Sequence, residues 1–239
     1  SFKATDTCTN NFATLNPLFI TRFDNDGTFS EGNLKRSFTS ANSDRGSGFS
    51  TIGVTQGKWY WEVKVLTALR AMIGVGDAQF ISAQTVPFYD VNPSYAVALN
   101  GAQGALNFNN TSTTTYHGSA LSDNDIVQVA LDMNNYLLWF GINGTWLNSA
   151  TQTEIENSTA TNDVTTDIGT KNVINNGEPI FPFVQDPSTS GQANFEFNFG
   201  SPPYSISSGN SDGNGYGNFE YAVPSGYYAL NTKNLAEYG

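Results

Sequence analysis

Apolar and polar residues alternate with a period of two along much of this chain, and the alternating runs are short and separated by turn residues. From Gly57 the pattern sets Trp59, Trp61, Val63 and Val65 on one face and Tyr60, Glu62 and Lys64 on the other, as in a half-buried strand. "AMIGVGDA" (71–78) and "SYAVALN" (94–100) predict two further short strands. "NDIVQVALDM" (124–133) places Val127, Val129, Leu131 and Met133 on one face, and "YLLWFGI" (136–142) does the same for Tyr136, Leu138, Phe140 and Ile142. Asn134-Asn135 between them predicts a type I′ hairpin, and Asn143-Gly144 is the strongest short hairpin signal in the chain, because both turns need residues that tolerate positive φ. "PIFPFV" (179–184) and "NFEFNFG" (194–200) are late strands, the second alternating Phe195, Phe197 and Phe199 with Glu196 and Asn198. No convincing amphipathic helix stands out. The expectation is therefore an all-β, two-layer antiparallel sandwich.

Two polar stretches interrupt the pattern, Asn148 to Asn176 and Ser201 to Asn218. A structureless loop of the first one's length is uncommon in a compact domain, so an extra hairpin or a functional excursion is expected there. A single domain is expected over residues 1–239, cut from a longer protein, since the chain starts at Ser1.

Composition narrows the function classes. With 38% hydrophobic and 13% aromatic residues the chain can bury a large core, without help from disulfides or metals. Its one cysteine, Cys8, excludes an internal disulfide and is expected to pack as a small, buried or half-buried thiol. Ten basic against 21 acidic residues give a net charge of −11, which argues against nucleic-acid and anionic-membrane partners. No apolar run reaches the length of a membrane helix, and no basic region followed by an apolar one marks a signal peptide.

The blocks "GKWYWEVKV" (57–65) and "AMIGVGDA", then "SDNDIVQVALDMNNYLLWFGINGTW" (122–146), "GEPIFPFV" (177–184), "FNFG" (197–200) and "VPSGYYAL" (223–230) resemble, in order, the conserved blocks of SPRY domains. The resemblance covers a core of about residues 32–230 and implies a concanavalin-like jelly roll with partners held by loops at one end. It assigns Tyr60, Trp61, Glu62 and Val63 to the central strand. The aromatic run is therefore framework, with Trp61, Val63, Leu131, Phe140 and Phe199 as core and Trp59 as the ring expected to be partly exposed. "NNFATLNPL" (10–18) with "TFSEGNLKRSF" (28–38), and "GYYALNTKNLAEYG" (226–239), are similar to SPRY domains embedded in bacteriophage structural proteins.

Catalytic chemistry is hard to find. The lone His117 lies in a polar run without a nucleophile elbow, and a structural zinc needs more N and S ligands than one His and one Cys supply. Paired carboxylates of a glycosidase would sit on alternating strand positions. Glu154 and Glu156 have that spacing but lie in the polar stretch, and Glu196 lacks an acidic partner two residues away. "DNDG" (24–27) has its Gly too early for an EF-hand loop and reads as an acidic turn. Asn109, Asn110, Asn143 and Asn157 satisfy the glycosylation sequon, as chance allows in so Asn- and Thr-rich a chain. No enzyme, cofactor or metal site is expected.

The loops implied for binding are Thr39–Phe49, Asp77–Ser94 and Asn109–Ser119, joined by the excursion Asn148–Asn176 and the Gly/Asn-rich loop around Tyr216. Rings among adaptable Ser, Asn and Gly donors suit recognition, which singles out Phe88, Tyr89, Tyr116 and Tyr216, with Arg45 and Arg70 as rare cations. The leading expectation is a recognition module of a virion protein, a tail fibre or receptor-binding component, assembled in the host cytoplasm and acting outside the cell. Its partner would be a host surface glycan or protein, with trimerisation through parts outside this chain. A decorating virion domain that contacts only other virion proteins, an intracellular adaptor for a short peptide and, remotely, a glycosidase are the alternatives.

Overall fold

Strand pairing realises the period-two pattern as rows of side chains crossing the sheets. The computed structural model describes residues 6–19, 27–38, 46–69, 71–77, 96–108, 111–113, 116, 119–169, 173–186 and 192–239. Among these, one sheet runs β1 (Gly27–Ser30), β2 (Lys35–Phe38), β13 (Asn194–Asn198), β4 (Lys58–Thr67), β9 (Ile126–Asp132), β10 (Leu137–Ile142) and β11 (Thr145–Trp146), with β14 (Tyr228–Ala229) parallel to the start of β4. The other runs β3 (Ser47–Phe49), β12 (Ile180–Gln185), β5 (Met72–Asp77), β6 (Ala96–Asn100), β7 (Ala105–Phe108) and β8 (Thr111–Thr113). Apart from β14, the pairings are antiparallel. The result is a two-layer β-sandwich.

The register explains the core. Trp59 faces Leu131, which faces Leu138; Trp61 faces Val129, which faces Phe140; Val63 faces Val127 on one side and Phe197 on the other. Ile73, Val75, Val97, Leu99 and Leu106 meet these rows from the second sheet, and all are buried in one cluster. Apolar burial on this scale stabilises by about 25 cal/mol per Å² removed from water, which is why the fold stands without cross-links.

The first sheet carries a further covering layer. By alternation Tyr60, Glu62 and Trp139 point away from the sandwich core, yet all three are fully buried. The segment after β13 folds back over this face, with the Phe219 ring edge-on to Tyr60 at 5.1 Å. Trp59, expected to be partly exposed, is also fully buried. β14 pairs alongside it, its Nε1–H donates to the Gln56 carbonyl at 2.7 Å, and a side chain at Gly57 would collide with its ring.

Three short helices appear among the described residues where none was expected. The Asn148–Asn176 stretch holds no hairpin there but α1 (Gln152–Glu156) and α2 (Val164–Asp167), and the chain closes with α3 (Thr232–Tyr238). Each begins at a side-chain cap. Thr151 Oγ1 accepts the Glu154 N–H while the Glu154 carboxylate accepts the Thr151 N–H; Asp163 and Asn231 cap the other two.

The two hairpin turns differ. Asn143 and Gly144 take φ of +49° and +85°, the type I′ geometry their sequence favours. The Asn134-Asn135 turn is instead a four-residue loop, Met133 to Tyr136, closed by the Asp132–Leu137 pair, with the positive φ (+58°) on Tyr136. Asp132 imposes this shape, because its Oδ1 accepts the N–H groups of Asn134 and Asn135 at 3.0 Å each. Tyr136 thereby leaves the strand. Two of the expected loops also contain short edge strands, β3 within 39–49 and β8 within 109–119. Cys8 is exposed rather than packed, since the Thr7–Asn10 turn holds it away from the core.

Candidate functional site

The N-terminal and C-terminal segments are joined by backbone pairing. Ala13 N–H donates to the Leu230 carbonyl at 2.9 Å, Thr232 N–H to the Asn11 carbonyl at 3.0 Å, and Asn11 N–H to Thr232 Oγ1 at 3.0 Å. Upstream, Asp6 accepts the Phe12 N–H at 2.8 Å and closes a tight turn over Thr7 to Asn10. The turn is thereby held beside α3, where Asn10 Oδ1 accepts the Lys233 N–H at 3.3 Å.

Buried Asp212 organises the third wall. One carboxylate oxygen accepts the N–H groups of Asn214 and Tyr216 at 3.0 and 2.8 Å; the other accepts Ala229 N–H at 2.9 Å and Asn234 Nδ2 at 2.8 Å. The Tyr216 turn, β14 and α3 are thus tied to a single acid. Gly215 and Gly217 flank Tyr216 with φ of +78° and +97°, backbone that L side chains rarely adopt, so neither chain neighbour adds a side chain beside the ring.

These walls enclose an open cleft of about 460 Å³ lined by Thr7, Thr9 and Asn10 from the first turn, Tyr216 and Asn218 from the second loop, and Lys233 from α3. Phe12 and three glycines complete it. Among the described residues Lys233 is the only charged one in the lining, and its Nζ stands 5.7 Å from the Tyr216 ring centre. A second, smaller cleft of about 260 Å³ lies by the stacked Tyr228 and Tyr238 rings, 3.8 Å apart. Its cation is already occupied, because Lys58 Nζ donates to Ser158 Oγ at 2.6 Å and sits 3.7 Å from Asp132.

The ligand residues expected from sequence fall in three places. Tyr216 lines the larger cleft, half-buried. Tyr116 does not offer a ring to a ligand: it is 4% exposed, edge-on to Phe140 at 6.3 Å, and burial pushes its phenol pKa up. The ring fills the core beside β10, a better place for apolar area than solvent. Arg45, Arg70, Phe88 and Tyr89 lie outside the described residues, as do His117 and Asp24 to Asp26. Trp61, Val63, Leu131, Phe140 and Phe199 are buried.

The carboxylates weighed for catalysis are engaged in structure. Glu154 serves the α1 cap and accepts from Asn162 at 2.9 Å. Glu156 accepts the Ser225 N–H at 3.0 Å, and Glu196 on β13 lies 3.7 Å from Lys35. The carboxylate of Glu62 is perturbed as well: burial raises its pKa even though it accepts hydrogen bonds from Glu220, Tyr221, Tyr60 and Asn198. It holds the covering segment down and does not face the cleft. Sequence reasoning missed Thr7, Thr9, Asn10, Asn218 and Lys233; a lysine in so acidic a chain was the one available signal.

The SPRY domain model matches residues 58–202, more than half of the chain. The chain belongs to the SPRY domain family. SPRY domains are protein-interaction modules and are generally non-catalytic. The fold is also that of the SPRY domain of human HERC1, with a TM-score of 0.53 and 18% identity over 77% of this chain and 96% of that one. No curated protein sequence matches the chain. Apart from Gly200, the residues that line the larger cleft lie outside the matched segment. The SPRY core is the platform, and the flanks build the cleft upon it.

Proposed function

We propose that this SPRY domain is a non-catalytic recognition module of a bacteriophage structural protein, a tail fibre or receptor-binding component, that binds a host surface glycan or protein. One observation carries the reading: the two flanking segments that resemble phage SPRY proteins pair with each other and contribute Asn10, Phe12 and Lys233 to the larger cleft. A ring among hydroxyl and amide groups on a rigid sandwich is recognition chemistry. The domain acts from the virion outside the host cell, and a trimeric parent protein adds avidity to a weak site.

The test is saturable binding of the fluorescently labelled chain to a panel of bacterial strains. Competition by unlabelled chain, and loss of binding in Tyr216→Ala, are the expected results. A chain that binds no bacterial surface but assembles into particles is a decorating domain. One that captures only short cytosolic peptides is an adaptor. Either outcome overturns the proposal.

A further inference from the structure

We infer that the larger cleft takes an acidic saccharide, a sugar carrying a carboxylate, with Lys233 meeting the carboxylate and the Tyr216 ring lying against the sugar. The inference rests on reading this cleft as the recognition surface and adds the chemical class of its ligand.

Four features select that class. First, the volume of about 460 Å³ lies within the range of small-ligand sites, and the cleft is open, as a site for one residue of a longer chain must be. Second, the Tyr216 backbone is clamped on both sides: its N–H donates to Asp212 Oδ1 at 2.8 Å and its carbonyl accepts the Asp212 N–H at 2.9 Å. With glycines on either side, no side chain of a chain neighbour crowds the half-buried ring on the cleft wall, and an aromatic face so placed suits the C–H surface of a pyranose.

Third, the chain has 21 acidic residues, yet none of those among the described residues lines the cleft. Nearby, Asp212 spends both oxygens and Asp6 one on amide N–H groups, and Glu237, one turn along α3, accepts from Asn214 Nδ2 at 3.5 Å. Lys233 makes no ion pair among the described residues, so a cation stands in the cleft with no carboxylate to neutralise it. Fourth, the remaining groups are hydroxyls and amides: Thr7 and Thr9, with Oγ1 atoms 3.3 Å apart, and Asn10 and Asn218. These match the donors and acceptors of sugar hydroxyls.

Other ligands fit less well. A phosphate favours several cations or a planar guanidinium, whereas one lysine balances one carboxylate. A peptide anchors through apolar pockets or an open strand edge; among the described residues this lining has one half-buried ring, Tyr216, beside the buried Phe12, and no strand.

Titrations followed by NMR on the whole chain test this, with N-acetylneuraminic acid and digalacturonate as probes and their methyl esters as controls. The acids should bind about tenfold or more tightly than the esters, the value of one charge-assisted hydrogen bond. Lys233→Met should erase that difference, while Tyr216→Ala weakens acid and ester together; Lys233 is exposed and Tyr216 half-buried on the cleft wall, and circular dichroism confirms that the variants fold. Equal affinity for acid and ester refutes the anionic element. Absence of shifts at cleft residues with either acid, while labelled chain still binds cells, refutes the saccharide and leaves recognition standing. If proteinase treatment of the cells abolishes binding and periodate does not, the partner is a protein and the inference fails. Absence of cell binding as well removes the reading on which it rests.

Discussion

The carboxylate of Glu62, in the middle of β4, accepts the backbone N–H of Tyr221 at 2.8 Å across 159 residues of chain. With the Glu220 N–H at 3.1 Å beside it, this bond pins the covering segment to the outer face of the sheet.

Glu62→Gln replaces an acceptor-only group by one that offers N–H to N–H, leaving a buried donor unpaired. The expected cost is about 1–3 kcal/mol, read in urea unfolding. The pH dependence has a definite sign. Burial raises the folded pKa of Glu62 above its ordinary value, so the stabilising contribution is complete below the unfolded pKa, near 4.3, and is lost as pH rises through the folded one. The gap between wild type and Glu62→Gln should therefore narrow from pH 4 towards neutrality; a widening gap contradicts the assignment.

Tyr116 and Tyr216 should separate stability from binding. Tyr116→Ala removes a core ring at a cost of about 3–5 kcal/mol. Tyr216→Ala, on the cleft wall, should cost about 1 kcal/mol or less and abolish cell binding. Thermal unfolding of the two variants beside a binding assay checks both halves.

Asp132 joins the β9–β10 turn to the polar excursion, accepting Ser158 Oγ at 2.6 Å besides the turn amides. Asp132→Ala should cost about 2–4 kcal/mol and raise hydrogen exchange both in the turn and around Ser158. Exchange confined to the turn would show that the excursion is anchored elsewhere.

Asp212 is a positioning residue for the cleft. Asp212→Asn turns one of its two accepting oxygens into a donor, and the Tyr216 turn, β14 and α3 should lose protection against hydrogen exchange together. Ligand affinity should fall although Asp212 itself does not line the cleft. Unchanged affinity in a folded variant would deny it that role.

Cys8 is exposed, so native protein should react with a thiol reagent as fast as denatured protein does. A lag that disappears on unfolding would place the thiol inside.

Some of this was legible because it is local. The alternation in β4, β9, β10 and β13 sorts side chains by face within a few residues, and Asn143-Gly144 closes a two-residue turn by its own φ preferences. Elsewhere a local rule is broken or was overlooked. In β2, Arg36 is fully buried between the Phe29 and Phe38 rings at 4.4 and 4.3 Å, and a charge at a core position hides a strand. The capping box that starts α1, Thr151 with Glu154, is present in sequence; it was masked by the polar composition around it.

What sequence alone determined was the sandwich: which residues face inward, where the tightest hairpin turns, and which family the blocks spell. The site was decided by tertiary structure. Thr7, Tyr216 and Lys233 are brought to one cleft by pairing between the two ends of the chain and by one buried carboxylate. Periodicity reports only whether a side chain faces in or out of its own strand. Which distant segment meets it is set by long-range hydrogen bonds, and these leave no period to read.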